Sequence, residues 1–201
     1  MQPQVLQRVY GLKPSLAIAW APHVQAALDL AEINTAQRAA CFIAQVGHES
    51  GSLRYTREIW GPTTQQKRYE PITTLAGRLG NKRPGDGRRY MGRGLIQTTG
   101  RANYALTTVM LRRLGIACPD FEAEPQLLEL PRWAALSAGL YWRAKQLNRF
   151  ADAGDFAELT RRINGGYNGL AHRQALYTQA LLVPDLELAI AANDGPMLQA
   201  A

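Results

Sequence analysis

The feature that most narrows the fold is an interruption. Between residues 53 and 93 the chain drops the helical spacing of apolar residues found on either side and fills with Gly, Pro, Thr and Arg. A stretch of about 40 residues without periodicity is far longer than a routine connection, and segments of that length usually carry function. The flanks read as helices. Asn34 or Thr35 can cap a helix running to about Glu49, with Ala39, Phe42, Ile43 and Val46 at helical spacing and Gly51-Ser52 as its stop. Helical spacing resumes over residues 100–114 and stops at Gly115 and Pro119. Pro131 suits the first position of a helix over 133–147. Asp155 with Glu158 resembles a capping box for 156–163, closed by Asn164-Gly165-Gly166, and 171–182 forms a last helix before Pro184. With no repeat, low-complexity tract or dividing linker, the chain reads as one mainly α domain with a long Gly/Arg-rich loop region.

Composition removes several classes. At 201 residues, 46% hydrophobic and 19% charged, the chain can bury roughly 70% of its unfolded surface. Disorder, a collagen repeat and a disulfide scaffold are excluded. Lys and Arg number 23 against 16 Asp and Glu, a net charge of +7. That surplus favours polyanionic partners such as nucleic acid, membrane headgroups or an acidic cell envelope, without choosing among them. Cys41 and Cys118 have no Cys or His at metal-ligand spacing, so two buried free thiols are expected, with no metal and no cofactor. No apolar run is long enough to span a membrane, and residues 1–10 lack the charged and apolar regions of a secretory signal. A protein acting outside the cytoplasm would then need another agent to release it.

Three groups of residues can carry chemistry. Glu49 shares the apolar face of its helix, three residues after Val46 and seven after Phe42, at the helix end. A carboxylate there is partly desolvated, which favours its protonated form and suits a general acid. His48-Glu49 does not extend to a zinc-protease helix, because position 52 is Ser where a second His is required. Glu58 lies nine residues on. On one continuous helix it would sit off register and roughly 13 Å away, so the Gly51-Ser52 break must turn the chain for the two to face each other. Carboxyl groups about 6.5–9.5 Å apart across a cleft leave room for a water and imply inversion at a sugar's anomeric carbon. An ion pair with Arg54 or Arg57 is the competing role for Glu58, and Glu70 is a second candidate for the base. The third group is the run from Gly85 to Gly100. It holds four glycines between 85 and 94, followed by Gln97, Thr99 and Asn103, neutral donors and acceptors suited to sugar hydroxyls, N-acetyl groups or a held water. Trp60 can stack on a sugar face. Trp133, Tyr141 and Trp142 form a helical stripe that reads as core, and His23 and His172 have no evident partner.

Taken together, Glu49 and Glu58 at that spacing, Tyr90-Met91-Gly92-Arg93-Gly94-Leu95-Ile96-Gln97-Thr98-Thr99, Asn103-Tyr104 and Ile163-Asn164-Gly165-Gly166 resemble the family 19 glycoside hydrolases. These are chitinases and their lysozyme-like relatives in phage endolysins, and the similarity runs over about 37–184. His48 to Tyr55 is most similar to the phage and prophage branch. The resemblance implies a lysozyme-like, two-lobed single catalytic domain. It makes Glu49 the acid, Glu58 the base and Thr99 a holder of the attacking water. His48, Tyr90, Gln97, Asn103, Tyr104 and Asn164 match substrate-binding positions, and Arg173 matches an arginine that tunes the carboxylates. Gly51 and Leu95 depart from the family pattern, and longer-loop members place their base nearer Glu70.

The expected activity is hydrolysis of β-1,4 bonds between N-acetylated amino sugars of peptidoglycan, by a monomeric endolysin. It would be made in the host cytoplasm and admitted to the wall by a holin-like protein. Chitin is the alternative substrate, and a wall-binding protein without catalysis a further one. A helix-turn-helix reading of 156–163 and 171–175 is the remote alternative; otherwise no nucleic-acid partner is expected.

Overall fold

Thr35 begins the helix that organises the molecule. Its hydroxyl accepts the Arg38 N–H at 3.2 Å, and the helix runs Ala36–Glu49 with every residue from Ala39 to Gly47 buried. The computed structural model describes residues 1–191 of the chain. In order, twelve α-helices are found among them: α1 Pro3–Tyr10, α2 Pro14–Leu30, α3 Ala36–Glu49, α4 Thr64–Lys67, α5 Thr74–Leu79, α6 Asp86–Arg89, α7 Arg101–Arg113, α8 Pro131–Ala144, α9 Asn148–Asp152, α10 Phe156–Asn164, α11 Leu170–Leu181 and α12 Leu186–Ala191. A short 3₁₀ helix, Pro125–Glu129, leads into α8.

From Ala39 to Gly47 α3 is enclosed on all sides, and its residues there are apolar except Gln45. α11 lies along it, α9 and α12 touch it, and α1 bridges α2 and α11. Phe42 meets Trp142 of α8 edge to face at 5.3 Å, both fully buried. This large cluster takes in α1, α2, α3, α11 and one face of α8 through Ala134, Ala135, Ala138 and Trp142. A second cluster gathers Tyr90, Tyr104, Leu111, Phe121 and Leu128 onto Leu136 and Leu140 of the same helix. α8 is therefore the wall shared by the two apolar bodies.

The chain turns sharply after Glu49. Gly51, Ser52 and Leu53 follow one another at φ 57°, 61° and 66°. Left-handed backbone is costly for Ser and Leu, so the turn must be held. Ser50 holds it, its hydroxyl donating to the Val46 carbonyl at 2.7 Å and accepting the Leu53 N–H at 2.8 Å, while Ser52 N–H reaches the Gly47 carbonyl at 2.7 Å.

Residues 53–93 are not simply loop: α4, α5 and α6 lie within them, α4 begun by a capping box between Thr63 and Gln66. The segment is pinned by a small bridge ladder. Gly94 N–H donates to Thr56 O at 2.9 Å, Glu58 N–H to Gly92 O at 2.8 Å, and Arg93 and Thr98 exchange bonds of 3.0 and 2.7 Å. Of the four glycines, Gly85 and Gly94 have positive φ, 87° and 92°. The other two serve close approach instead. A β-carbon on Gly87 would come 2.6 Å from Glu70 Oε1, and one on Gly92 would collide with the Gln97 side chain.

Both cysteines are free, but only Cys41 is buried; Cys118 is half-buried, which corrects the expectation of two buried thiols. Burial pushes the Cys41 thiol up to about 12, with the nearby Asp152 charge adding to it.

Candidate active site

Glu49 ends α3 with its side chain 24% exposed, and Oε1 accepts Arg173 Nη2 at 2.6 Å. Arg173 comes from α11, and only 1% of its side chain is exposed. Its other nitrogens are committed too, Nη1 to Gln45 Oε1 at 2.6 Å and Nε to the Asn168 carbonyl at 3.2 Å. The packing of α11 along α3 is what brings the guanidinium to the carboxylate.

Glu58 follows the turn on the bridge ladder, half-buried. Oε2 accepts the Gly92 N–H at 2.9 Å, and Oε1 accepts Gln66 Nε2 at 2.9 Å with the Tyr69 hydroxyl at 3.5 Å. Neither Arg54 nor Arg57 pairs with it; Arg57 lies 3.6 Å from Glu129 instead. Burial raises the Tyr69 phenol, and the Glu58 charge and hydrogen bond raise it further, which keeps it a donor. Glu70 is differently employed. Its Oε2 accepts the Gly85 N–H at 2.8 Å and its carboxyl group packs on Gly87, so it anchors the glycine-rich turn.

A cavity of about 390 Å³, whose lining includes neither Glu49 nor Glu58, is walled among others by Gln97, Thr99, Asn103, Tyr141 and Lys145. Gln97 and Asn103 are exposed, Thr99 half-buried, and the Thr99 carbonyl accepts Asn103 Nδ2 at 2.7 Å. Gln97 ties the cavity to Glu58, since its side chain rests on Gly92. Tyr141 ties it to Glu49: burial raises the phenol, and the Glu49 charge raises it further. Tyr141 packs against the core as expected, but it is only half-buried, donates to the Arg162 carbonyl at 3.1 Å and also lines the cavity. Trp142 is core as expected. A larger cavity, about 620 Å³, shares no residue with this one. Two of its three carboxylates, Asp86 and Glu122, are already paired with Arg101 at 2.6 and 2.9 Å.

The remaining expected residues divide. His48 is half-buried beside Glu49, and its Nδ1 lies 2.9 Å from Nδ1 of His172, so His172 does have a partner. Burial lowers the His48 pKa, the Arg173 and His172 charges lower it further, and Glu49 opposes them. Trp60 is half-buried and tilted over Tyr69 at 6.3 Å. Asn164 is half-buried, and its buried Nδ2 has no hydrogen-bond partner among the described residues. Tyr90 and Tyr104 are 1% and 0% exposed, Tyr90 at the wall of the larger cavity and Tyr104 inside the packing beneath the glycine-rich run. Tyr104 donates to the Met91 carbonyl at 2.5 Å and accepts Arg93 Nη1 at 3.0 Å, holding the glycine-rich run from below. Arg173 does not suit a recognition helix either, since it points inward. Gln45, Gln66, Tyr69 and Tyr141 carry no functional signature in the sequence alone, apart from Gln45, which sits four residues before Glu49 on one helix face.

The chain matches no protein-family model. It is 35% identical over 185 residues to a glycosyl hydrolase family 19 domain-containing protein of Haemophilus influenzae, covering 81% of this chain and 87% of that one. Chitinase C from Streptomyces griseus shares the fold with a TM-score of 0.61 at 24% identity, over 99% of this chain and 79% of that chain. A bacterial family 19 chitinase does so at 0.62 and 21% identity, over 99% and 98%. The helical architecture is thus that of the family 19 chitinases. Identity sustained over most of both sequences makes the chain a member of glycoside hydrolase family 19, an enzyme that cleaves glycosidic bonds of a polysaccharide.

Proposed function

We propose that the enzyme hydrolyses β-1,4 bonds between N-acetylated amino sugars of peptidoglycan by direct displacement with inversion. The observation that carries this reading is that Glu49 and Glu58 stand on different elements, each oriented by its own donors. Glu49 acts as the acid and protonates the leaving glycosidic oxygen. The Arg173 guanidinium on Oε1 stabilises the carboxylate left behind, and Oε2 remains for the substrate. Glu58 acts as the base. A carboxylate accepts more hydrogen bonds than the three it receives here, so it can also take a proton from a water. In this reading Thr99, from the cavity lining, holds that water. Gln97 and Asn103 bind sugar hydroxyls or N-acetyl groups. No metal or cofactor is needed for this chemistry.

Peptidoglycan is favoured by the net charge of +7 and by the likeness of residues 48–55 to phage enzymes. Chitin is the second reading, favoured by the solved relatives, which are chitinases. The test pairs variants with substrates. Glu49→Gln and Glu58→Gln should each lower turnover by at least about a hundredfold, while Glu70→Gln, which can still accept the Gly85 N–H, keeps most activity. Mass spectrometry of products from purified sacculi, beside release from colloidal chitin, assigns the substrate. Wild-type turnover by Glu49→Gln would overturn the mechanism, and products from chitin alone would overturn the substrate.

A further inference from the structure

Behind the Arg173–Glu49 pair lies a set of buried polar groups to which the proposed chemistry gives no role. Gln45 of α3 and Thr160 of α10 are both 0% exposed, so their polar atoms must find partners inside the protein. They find them along one line. The Thr160 hydroxyl donates to the Phe156 carbonyl at 3.0 Å. Its single proton is then spent, and its oxygen can only accept, which it does from Gln45 Nε2 at 2.8 Å. This fixes the sense of the amide. Oε1 of Gln45 faces the other way and accepts Arg173 Nη1 at 2.6 Å, and Arg173 Nη2 continues the line to Glu49 at 2.6 Å.

We infer that Gln45, locked by Thr160, is a positioning residue for the reaction: it sets the plane of the Arg173 guanidinium and through it the direction of the Glu49 carboxylate. The inference rests on the acid role proposed for Glu49. Gln45 and Glu49 are four residues apart on one helix face, so a planar guanidinium can bridge them with two nitrogens at once. The neutral carbonyl matters. It orients Arg173 without taking up its charge, which stays available to Glu49. A displacement of about 1 Å at a reacting group can cost about a hundredfold in rate, so a side chain that touches no substrate can still govern turnover.

The test measures reducing-end release by Glu49→Gln, Gln45→Leu, Thr160→Val and Thr160→Ser, with purified sacculi and chitin hexasaccharide as substrates, alongside Tm. Gln45→Leu should lower kcat by about tenfold to a hundredfold with KM within about twofold. Thr160→Ser keeps the oxygen but loses a buried methyl, so Tm falls while kcat stays within about threefold of wild type. Thr160→Val keeps the shape but loses the oxygen, and kcat falls about tenfold at unchanged KM. The two threonine variants carry the test even where Gln45→Leu does not fold. If kcat follows Tm rather than the oxygen, or if Gln45→Leu turns over like wild type while Glu49→Gln is inactive, the positioning role is wrong. An active Glu49→Gln removes the acid assignment, and the inference with it.

Discussion

Arg173 is the residue on which the site turns. A fully buried guanidinium is tolerated because three acceptors, two on α3 and one in the loop before α11, receive it, and one of them is Glu49. Lysine carries the charge but not the planar fork, so it cannot satisfy Gln45, Asn168 and Glu49 together. Arg173→Lys should lower kcat by about tenfold or more, and the buried acceptors left without partners should cost about 2–3 kcal/mol of stability. Steady-state kinetics and thermal unfolding check both, and an Arg173→Lys enzyme with unchanged kcat and Tm would show that the fork is dispensable. His48 makes a second prediction at this scale. Its pKa is held below the ordinary 6.5 by burial first and then by the Arg173 charge, so the unfolded chain binds the proton more readily. Stability is then complete above about pH 7 and declines as pH falls below 6.5. His23 is lowered as well, by burial and then by the Arg132 charge, and adds to the same slope. The share belonging to His48 is therefore the flattening seen in His48→Gln, read from denaturant midpoints between pH 5 and 8.

Among the elements, those between α3 and α7 hold their place by side chains rather than by apolar periodicity. Asp86 illustrates it, accepting the N–H groups of Lys82 and Arg83 at 2.8 and 3.0 Å and two bonds from Arg101. Burial alone would raise its pKa, but these donors outweigh it and hold the carboxyl at about 2. Its contribution to stability is therefore present above the ordinary 3.8 and is lost as pH falls toward 2. Asp86→Asn should cost about 2–3 kcal/mol, or roughly 4–12 °C of Tm. A Tm within a degree of wild type would show that the glycine-rich run stands without it. The same reasoning explains what was legible beforehand. α3, its Thr35 cap and its stop could be read because a cap, an apolar register and a glycine coincide there. α1 and α2 are not legible in the sequence, since each opens on a proline and α2 is apolar almost all round with Pro22 inside it. α4 and α5 carry local caps at Thr63 and Thr73, but at four to six residues each α4 to α6 are too short to show an apolar period. Glu49 and Glu58 could be picked out by register and by the break between them. The burial of Arg173, Tyr90 and Tyr104 could not, since it is decided by packing between distant segments.

Over the whole molecule, two apolar bodies share α8, and the described polar site groups gather around the turn after α3 and the glycine-rich run. The net charge of +7 acts at longer range than any contact in the site. On anionic sacculi it should speed encounter and be screened by salt, whereas a neutral chitin oligomer feels no such attraction. Raising ionic strength from about 0.05 to 0.5 M should therefore lower kcat/KM on sacculi severalfold and leave the chitin hexasaccharide nearly unaffected. Equal salt responses on the two substrates would remove charge from the account of wall recognition. Beneath substrate choice lies the central claim, that one carboxyl group protonates the leaving oxygen while another drives water onto the opposite face of the sugar. The most direct measurement is proton NMR of the reducing end at the instant it forms, before mutarotation. Inversion of a β-linkage predicts the α-anomer as the first product. The β-anomer appearing first would mean retention, and would contradict the paired roles of Glu49 and Glu58.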